Sequence, residues 1–272
     1  MAITRRDDGN KAPRPCCLTI AGSDSGGNAG VQADLRAFHA YGRHGCTVFT
    51  ALTAQNPGGV SGVMPVPPVF IEAQLDAVLA AYSIKALKTG MIAGAEAVRA
   101  VAGRLSRRDG IAKVVDPVMV ATSGASLSDD ASVAAMKEFL LPLATVVTPN
   151  IPEASVLSGI AISCMADAEK AARKIHGDFG CAVLVKGGHA TGDIGAADDI
   201  LFDGRGFTRL SLPVVENPVS THGTGCTLSA AIAAAMAAGM GLADAVRSAK
   251  EYVRRAIAGS YLVGPGCGVL GF

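Results

Sequence analysis

Apolar, β-branched runs alternate with helical patterns along most of the chain. CCLTIAG, CTVFTALT, IKALKTG, KVVDPVMV, ATVVTP and CAVLVKGG show little polar alternation, as strands buried on both faces do. Between them, Val31, Leu35 and Phe38, then Ile71, Leu75, Val78 and Leu79, then Val98, Val101 and Leu105 recur at helical spacing on single faces. Strand alternating with helix requires parallel crossovers, so the pattern predicts an α/β architecture, a sheet with helices on both sides. The rhythm changes at DILFDGRGFTRLSLPVV, where Asp203-Gly204 and Gly206 separate two strand-like runs, a hairpin at a sheet edge. Two helices then close the chain. The first, Gly223 to Ala238, is apolar nearly all round, and the second carries Leu242, Val246, Ala249, Val253 and Ile257 on one face.

A chain of 272 residues, 50% hydrophobic and 17% charged, is long enough to bury one large core. No internal repeat, linker or low-complexity tract divides it, so residues 15–272 are expected to form a single domain behind a frayed tail at 1–14. In that tail Asp7 and Asp8 stand where a secretory signal needs an apolar run. A net charge of +1, with no basic stripe between aromatics, argues against nucleic acid as a partner. The apolar stretches are too interrupted to span a membrane. Seven scattered cysteines without a CxxC form neither a disulfide framework nor a zinc site, so a reducing cytoplasm is expected.

In open α/β sheets, ligands bind beyond the carboxyl ends of the strands. Those ends read Gly22 to Gly30, Gln55-Asn56, Thr89-Gly90-Met91, Asp116-Pro117, Pro149-Asn150, Lys186 to His189 and, opening the late helix, Gly223-Thr224-Gly225-Cys226. The last stretch either makes a tight turn into a packed helix or presents bare amides to an anion. There is no GxxxxGK[ST] sequence, which disfavours an ordinary P-loop nucleotidase. Cys226 breaks the tie: a thiol in a helix's first turn is expected to have a lowered pKa and to suit a general base. His222, four residues earlier and outside the helix, does not make a convincing Cys/His pair.

Asn150 and Glu153 read equally as a helix cap with a capping glutamate or, with Asp116, as oxygen ligands holding Mg²⁺ through its water shell. Lys186 is a phosphate-facing ammonium or a snorkelling strand-end lysine. The Gln55 amide matches an aminopyrimidine edge, which offers an amino donor beside a ring-nitrogen acceptor. Asp34 is either an acceptor for a substrate hydroxyl or a solvent-facing helix acid. Met91 and Val118 are flat walls for a small ring or core residues.

AGSDSGGNAGVQADL, TALTAQN, KTGM, VVDPVMVATSG, TPNIPEA, VLVKGGH and HGTGCTLSAAIA resemble, in order and spacing, the hydroxymethylpyrimidine/phosphomethylpyrimidine kinases of thiamine biosynthesis. The resemblance covers about residues 16–258. It implies a ribokinase-like three-layer sandwich with a mostly parallel central sheet. It further implies an ATP- and Mg²⁺-dependent kinase, cytoplasmic and homodimeric, that phosphorylates 4-amino-5-hydroxymethyl-2-methylpyrimidine and then its monophosphate. Carried over by position, Gln55, Asp34, Gly22, Met91 and Val118 would bind the pyrimidine. Gly223, Thr224, Gly225 and Cys226 would form the anion hole and base, with Cys standing where wider relatives have Asp. Lys186, Asn150, Glu153 and Thr224 would serve the nucleotide, and Asp116, Asn150 and Glu153 the metal. Two rivals are a pyridoxal kinase and a noncatalytic pyrimidine or nucleotide sensor. Two departures stand out. GGNAG lacks a glycine common in relatives, so Asn28 is expected to need a positive φ or to reshape the loop. The tail GPGCGVLGF departs from the family's usual ending.

Overall fold

The computed structural model describes residues 14–56, 58–119, 129–187 and 198–272. Almost all of the expected tail, the segment after Met119 and the residues Gly188 and His189 lie outside the described residues.

The elements in chain order are β1 (Cys16–Ala21), α1 (Gly30–Ala40), β2 (His44–Phe49), β3 (Ala51–Asn56), β4 (Gly59–Pro65), α2 (Pro68–Ala81), β5 (Ile84–Thr89), α3 (Ala95–Leu105), β6 (Ala112–Val115) and α4 (Asp130–Ala135). There follow β7 (Val146–Val147), α5 (Ile151–Ser158), α6 (Met165–Phe179), β8 (Ala182–Val185), β9 (Asp198–Phe202), β10 (Phe207–Ser211), α7 (Thr224–Ala237), α8 (Leu242–Ala258), β11 (Tyr261–Gly264) and β12 (Cys267–Val269). Eight strands form one sheet in the order β10-β9-β8-β7-β6-β5-β1-β2. The pairings from β2 to β8 are parallel, and β9 and β10 add an antiparallel edge. The hairpin expected near 199–215 is that edge.

The sheet's two faces carry two cores. Leu18, Ile20, Val48, Leu87 and Val183 pack with Ile71 and Leu75 of α2, Val98 and Val101 of α3, Leu157 of α5 and Ile175 of α6. On the other face Cys17, Ala86, Val114 and Leu184 meet Phe38 of α1, Ala230 to Ala235 of α7 and Val246 and Ala249 of α8. This is the expected three-layer sandwich. Ala230, Ala231, Ala233, Ala234 and Ala235 of α7 are fully buried, and their small side chains let the helix lie close to α1, α8 and the sheet.

One expected strand is two. CTVFTALT breaks at Thr50, so that β2 stays in the sheet while β3 leaves it to form a separate hairpin with β4. An apolar run does not reveal such a bend. The fully buried Thr50 fixes it: its N–H donates to Ala21 O at 3.0 Å, its carbonyl accepts from Val66 N at 3.0 Å, and its hydroxyl donates to Met91 O at 2.6 Å.

Candidate active site

The parallel strands end together, and the loops leaving them meet the N-terminus of α7. Gly223 caps that helix with φ +87°, a left-handed conformation that costs a residue with a Cβ roughly 1–2 kcal/mol. Space demands glycine as well, because a Cβ there would strike the Asn28 carbonyl. The close approach docks the glycine loop after β1 against the start of α7. Asp24 ties that loop together. It is almost fully buried and accepts from Gly26 N at 2.8 Å, Asn28 N at 2.9 Å and Ala29 N at 2.8 Å. Burial alone would raise its pKa, but the His222 side chain and these three N–H groups hold it below the ordinary carboxylate value. Asn28 meets the departure from the usual glycine without a positive φ; among the described residues the non-glycine with positive φ is Asn217.

Asp116, Val118, Asn150, Glu153, Lys186 and the segment Gly223 to Cys226 line one cavity of about 480 Å³. Asp116, at the end of β6, accepts from Lys186 Nζ at 3.0 Å, Thr148 Oγ1 at 3.3 Å and Ser229 Oγ at 3.2 Å. It is buried, which alone would raise its pKa; the Lys186 and Lys88 ammoniums and the Ser229 hydroxyl lower it overall. Lys186 is thus ion-paired at the cavity wall, its pKa lifted by Asp116 and Glu153 against the effect of burial.

Asn150 and Glu153 realise the cap reading in full. Asn150 Oδ1 accepts from Glu153 N, and Glu153 Oε2 accepts from Asn150 N, both at 2.8 Å. The cap does not remove Glu153 from the cavity. Its carboxyl is pushed up to about 7, by burial and by the negative charge of Asp116, against the pull of Lys186 and two backbone N–H groups. The folded state therefore holds this proton between pH 4.5 and about 7, where the unfolded chain has released it. Its contribution to stability is complete below pH 4.5 and is lost as pH rises through 7. Glu153→Gln, which retains the oxygen that accepts from Asn150 N, should flatten this slope. Relative to the variant, the wild-type protein should lose urea resistance between pH 5 and pH 8.

Cys226 lies half-buried in the first turn of α7. The N–H of Gly30, the first residue of α1, favours its thiolate form, as does the Lys88 ammonium. The expected lowering of its pKa is nevertheless not found. Burial raises it, Asp34 and Asp116 add to the rise, and the Lys88 ammonium and the Gly30 N–H only partly oppose them. Helix position alone was the wrong guide; burial, with two buried carboxylates added to it, outweighs it. His222 turns away from the cysteine, toward Gln55 Nε2 at 3.5 Å and Asp24 Oδ2 at 3.7 Å.

Three of the residues expected to hold substrate lie beside this cavity rather than on its wall. Gln55 is half-buried on β3, its backbone pinned to Ser25 by bonds of 2.7 and 2.8 Å, and its amide carbonyl lies 3.5 Å from Thr53 Oγ1. Gly22 and Met91 are in contact, since a Cβ at Gly22 would run into the Met91 methyl. Asp34 requires correction. It is fully buried, both its oxygens accept from Lys88 Nζ at 2.9 Å, and Oδ2 also accepts from Thr19 Oγ1 at 2.5 Å. It faces inward as neither a solvent-facing acid nor an open acceptor for a hydroxyl, because it is fully buried against an ammonium and a hydroxyl.

Sequence reasoning missed Lys88, and it missed the far end of the cavity. There Leu212, Pro213, Val214, Pro218, Val253 and Ile257 form an apolar wall. The signal was present as SLPVVENPV, an apolar and proline-rich stretch following an edge strand.

The profile of the phosphomethylpyrimidine kinase family matches residues 24–271. The chain belongs to the phosphomethylpyrimidine kinase family. It is 48% identical over 257 residues to a hydroxymethylpyrimidine/phosphomethylpyrimidine kinase of Synechococcus elongatus, covering 94% of this chain and 97% of that protein. It is also 48% identical over 256 residues to the thiamine biosynthesis bifunctional protein ThiED of Geobacter sulfurreducens, but spans 52% of that relative's length against 94% of its own. Among solved structures, an ADP complex of Bacillus subtilis pyridoxal kinase superposes with a TM-score of 0.87 at 35% identity, covering 95% of this chain and 97% of that one. The sandwich is therefore of the ribokinase-like kind expected from the motifs.

Proposed function

We propose that this protein transfers a phosphoryl group from ATP to 4-amino-5-hydroxymethyl-2-methylpyrimidine, and a second to the resulting monophosphate, in thiamine biosynthesis. Family membership supports the substrate. The observation that carries the chemistry is the convergence of Gly223, Thr224, Gly225 and Cys226 with Asp116, Glu153 and Lys186 on one cavity. Phosphoryl transfer needs in-line placement and charge neutralisation, and these groups supply an amide cradle, an ammonium and a base. Asp116, Asn150 and Glu153 offer the oxygen donors a hard cation prefers. Their existing bonds to Lys186, Thr148 and the helix cap suit Mg²⁺ held through water. When bound, such a cation would neutralise charge on the phosphate oxygens, and Lys186 adds a point charge at the cavity wall.

The hydroxymethyl oxygen loses its proton to Cys226 Sγ as it bonds to the terminal phosphorus. The bond from that phosphorus to the bridging oxygen breaks, and ADP leaves. The apolar wall around Pro213, Val253 and Ile257 suits the flat face of the nucleotide base. Gln55 offers a donor and an acceptor to the aminopyrimidine edge, and Gly22, Met91 and Val118 supply the surfaces that flank the ring. A homodimer fits the exposed apolar side chains Leu52, Val63, Met64, Val69 and Phe70 on β3, β4 and α2.

The likeness to a pyridoxal kinase makes pyridoxal the substrate to exclude. It lacks an amino group beside a ring nitrogen, so Gln55 discriminates against it. The test is kcat/KM for the two alcohols with Mg-ATP. A clear advantage for the pyrimidine is expected; a preference for pyridoxal overturns the assignment.

A further inference from the structure

A further ion pair stands on the cavity wall, and the phosphoryl-transfer chemistry above does not use it. Lys250 of α8 donates to Asp199 Oδ2 of β9 at 2.6 Å, and the two side chains are only 11% and 8% exposed. Both line the cavity. The other carboxylate oxygen, Asp199 Oδ1, accepts from Gly187 N at 2.9 Å, one residue beyond Lys186. Burying such a pair costs the desolvation of both ions, and apolar residues of the same volume often match it in stability. Stability alone does not explain it.

Its neighbour on the sheet does. Leu184 and Leu201 stand opposite each other on β8 and β9, and both lie in the core against α7 and α8. Side chains alternate along a strand, so two positions further on, Lys186 and Asp199 share that face. Lys186 thus has a carboxylate on either side, Asp199 from β9 and Asp116 from the end of β6. It pairs with Asp116 at 3.0 Å, and this choice sets its place. A Cβ added at Gly225 would lie 3.5 Å from Lys186 Nζ and 3.9 Å from Asp116 Oδ2, so the ammonium is held against the first turn of α7. Asp116, Lys186, Asp199 and Lys250 form a row of alternating charge along the cavity. It runs from the anion hole toward the apolar wall, to which Val253, three residues after Lys250 on α8, belongs.

We propose that Lys250 is a positioning residue for nucleotide binding: by neutralising Asp199 it leaves Lys186 to Asp116, and so keeps the Lys186 ammonium at the anion hole, where it meets the phosphates of ATP. The inference rests on the reading of this cavity as the nucleotide site. Without Lys250, Asp199 is a buried carboxylate with no counter-charge, on the strand next to Lys186. An uncompensated buried charge is costly, so the nearest cation moves to it. Lys186 then turns away from the phosphates.

The test is the steady-state KM for Mg-ATP and for the pyrimidine alcohol in the full chain. Lys250→Met should raise KM for Mg-ATP about tenfold, the lower end of the cost of losing a residue that orients a ligand-binding group, and leave KM for the pyrimidine as in the wild type. Asp199→Asn keeps an oxygen for Gly187 N and removes the competing charge, so its KM for Mg-ATP should not rise. Lys250→Met/Asp199→Asn should return KM for Mg-ATP toward the wild-type value, and Lys250→Arg, which keeps the cation, should rescue most of the loss. A merely structural pair would lower the thermal stability of the single variants with KM for Mg-ATP unchanged, or raise KM in both in a way the double variant does not reverse. Either result overturns the proposal. Should Lys250→Met fail to fold, Lys250→Gln, which donates to Asp199 without a charge, carries the same expectation and the same refutation. A wild-type protein that binds no Mg-ADP in a calorimetric titration removes the nucleotide reading together with this inference, whereas saturable binding with KM unchanged in the Lys250 variants overturns the inference alone.

Discussion

Cys226→Ser and Cys226→Ala should each lower kcat for the pyrimidine alcohol by about 10²–10⁴-fold, the range for loss of a positioned general base, with the fold and nucleotide binding retained. Serine keeps the size and a hydrogen bond at the position, but it does not hold a proton-accepting anion there. Burial sets the accompanying pH dependence. Because the thiol lies above its ordinary value, a small fraction is ionised at neutral pH, and each thiolate formed is a correspondingly strong base. The wild-type kcat should therefore rise steadily from pH 6 toward the alkaline range, and the variants should lose that rise. Steady-state assays of both variants across this range are the check, and full turnover in both at neutral pH excludes the thiol as base.

Gly223→Ala should be nearly as damaging by a different route. The substitution adds left-handed strain at φ +87° and drives a methyl into the Asn28 carbonyl. Either the first turn of α7 or the glycine loop must then move. A displacement near 1 Å at such a site costs about 10²-fold in rate, so kcat/KM should fall by at least that factor. Gly239→Ala separates strain from collision. Gly239 has φ +88° with nothing within 4 Å of the added methyl, so this variant should lose stability while keeping its kcat/KM. Paired urea denaturation and kinetic assays distinguish the two effects.

The layering was legible because buried parallel strands and amphipathic helices leave different periods. Val31, Leu35 and Phe38 mark α1, and the Asp203-Gly204 turn marks the edge hairpin, in sequence as in space. The convergence of Asp116, Glu153, Lys186 and Gly223 to Cys226 on one cavity was legible too, because the carboxyl ends of parallel strands share one rim. What the sequence hid was direction and depth. Asp34 and Lys88 lie 54 positions apart, so neither helix propensity nor strand pattern reveals that they neutralise each other. Burial above all, with the same hidden carboxylate and Asp116 added to it, reverses the expected effect of helix position on Cys226. The turn at Thr50 was also concealed, since the residues on both sides favour strands and the bend depends on Ala21, Val66 and Met91, 29, 16 and 41 positions away.

The most direct test of the central claim is a time course of the wild-type protein with Mg-ATP and 4-amino-5-hydroxymethyl-2-methylpyrimidine, with products separated by mass. The account predicts that the monophosphate appears first and the diphosphate follows, each with one equivalent of ADP. ADP released without any phosphorylated pyrimidine, or an unchanged pyrimidine in the presence of bound nucleotide, would contradict it.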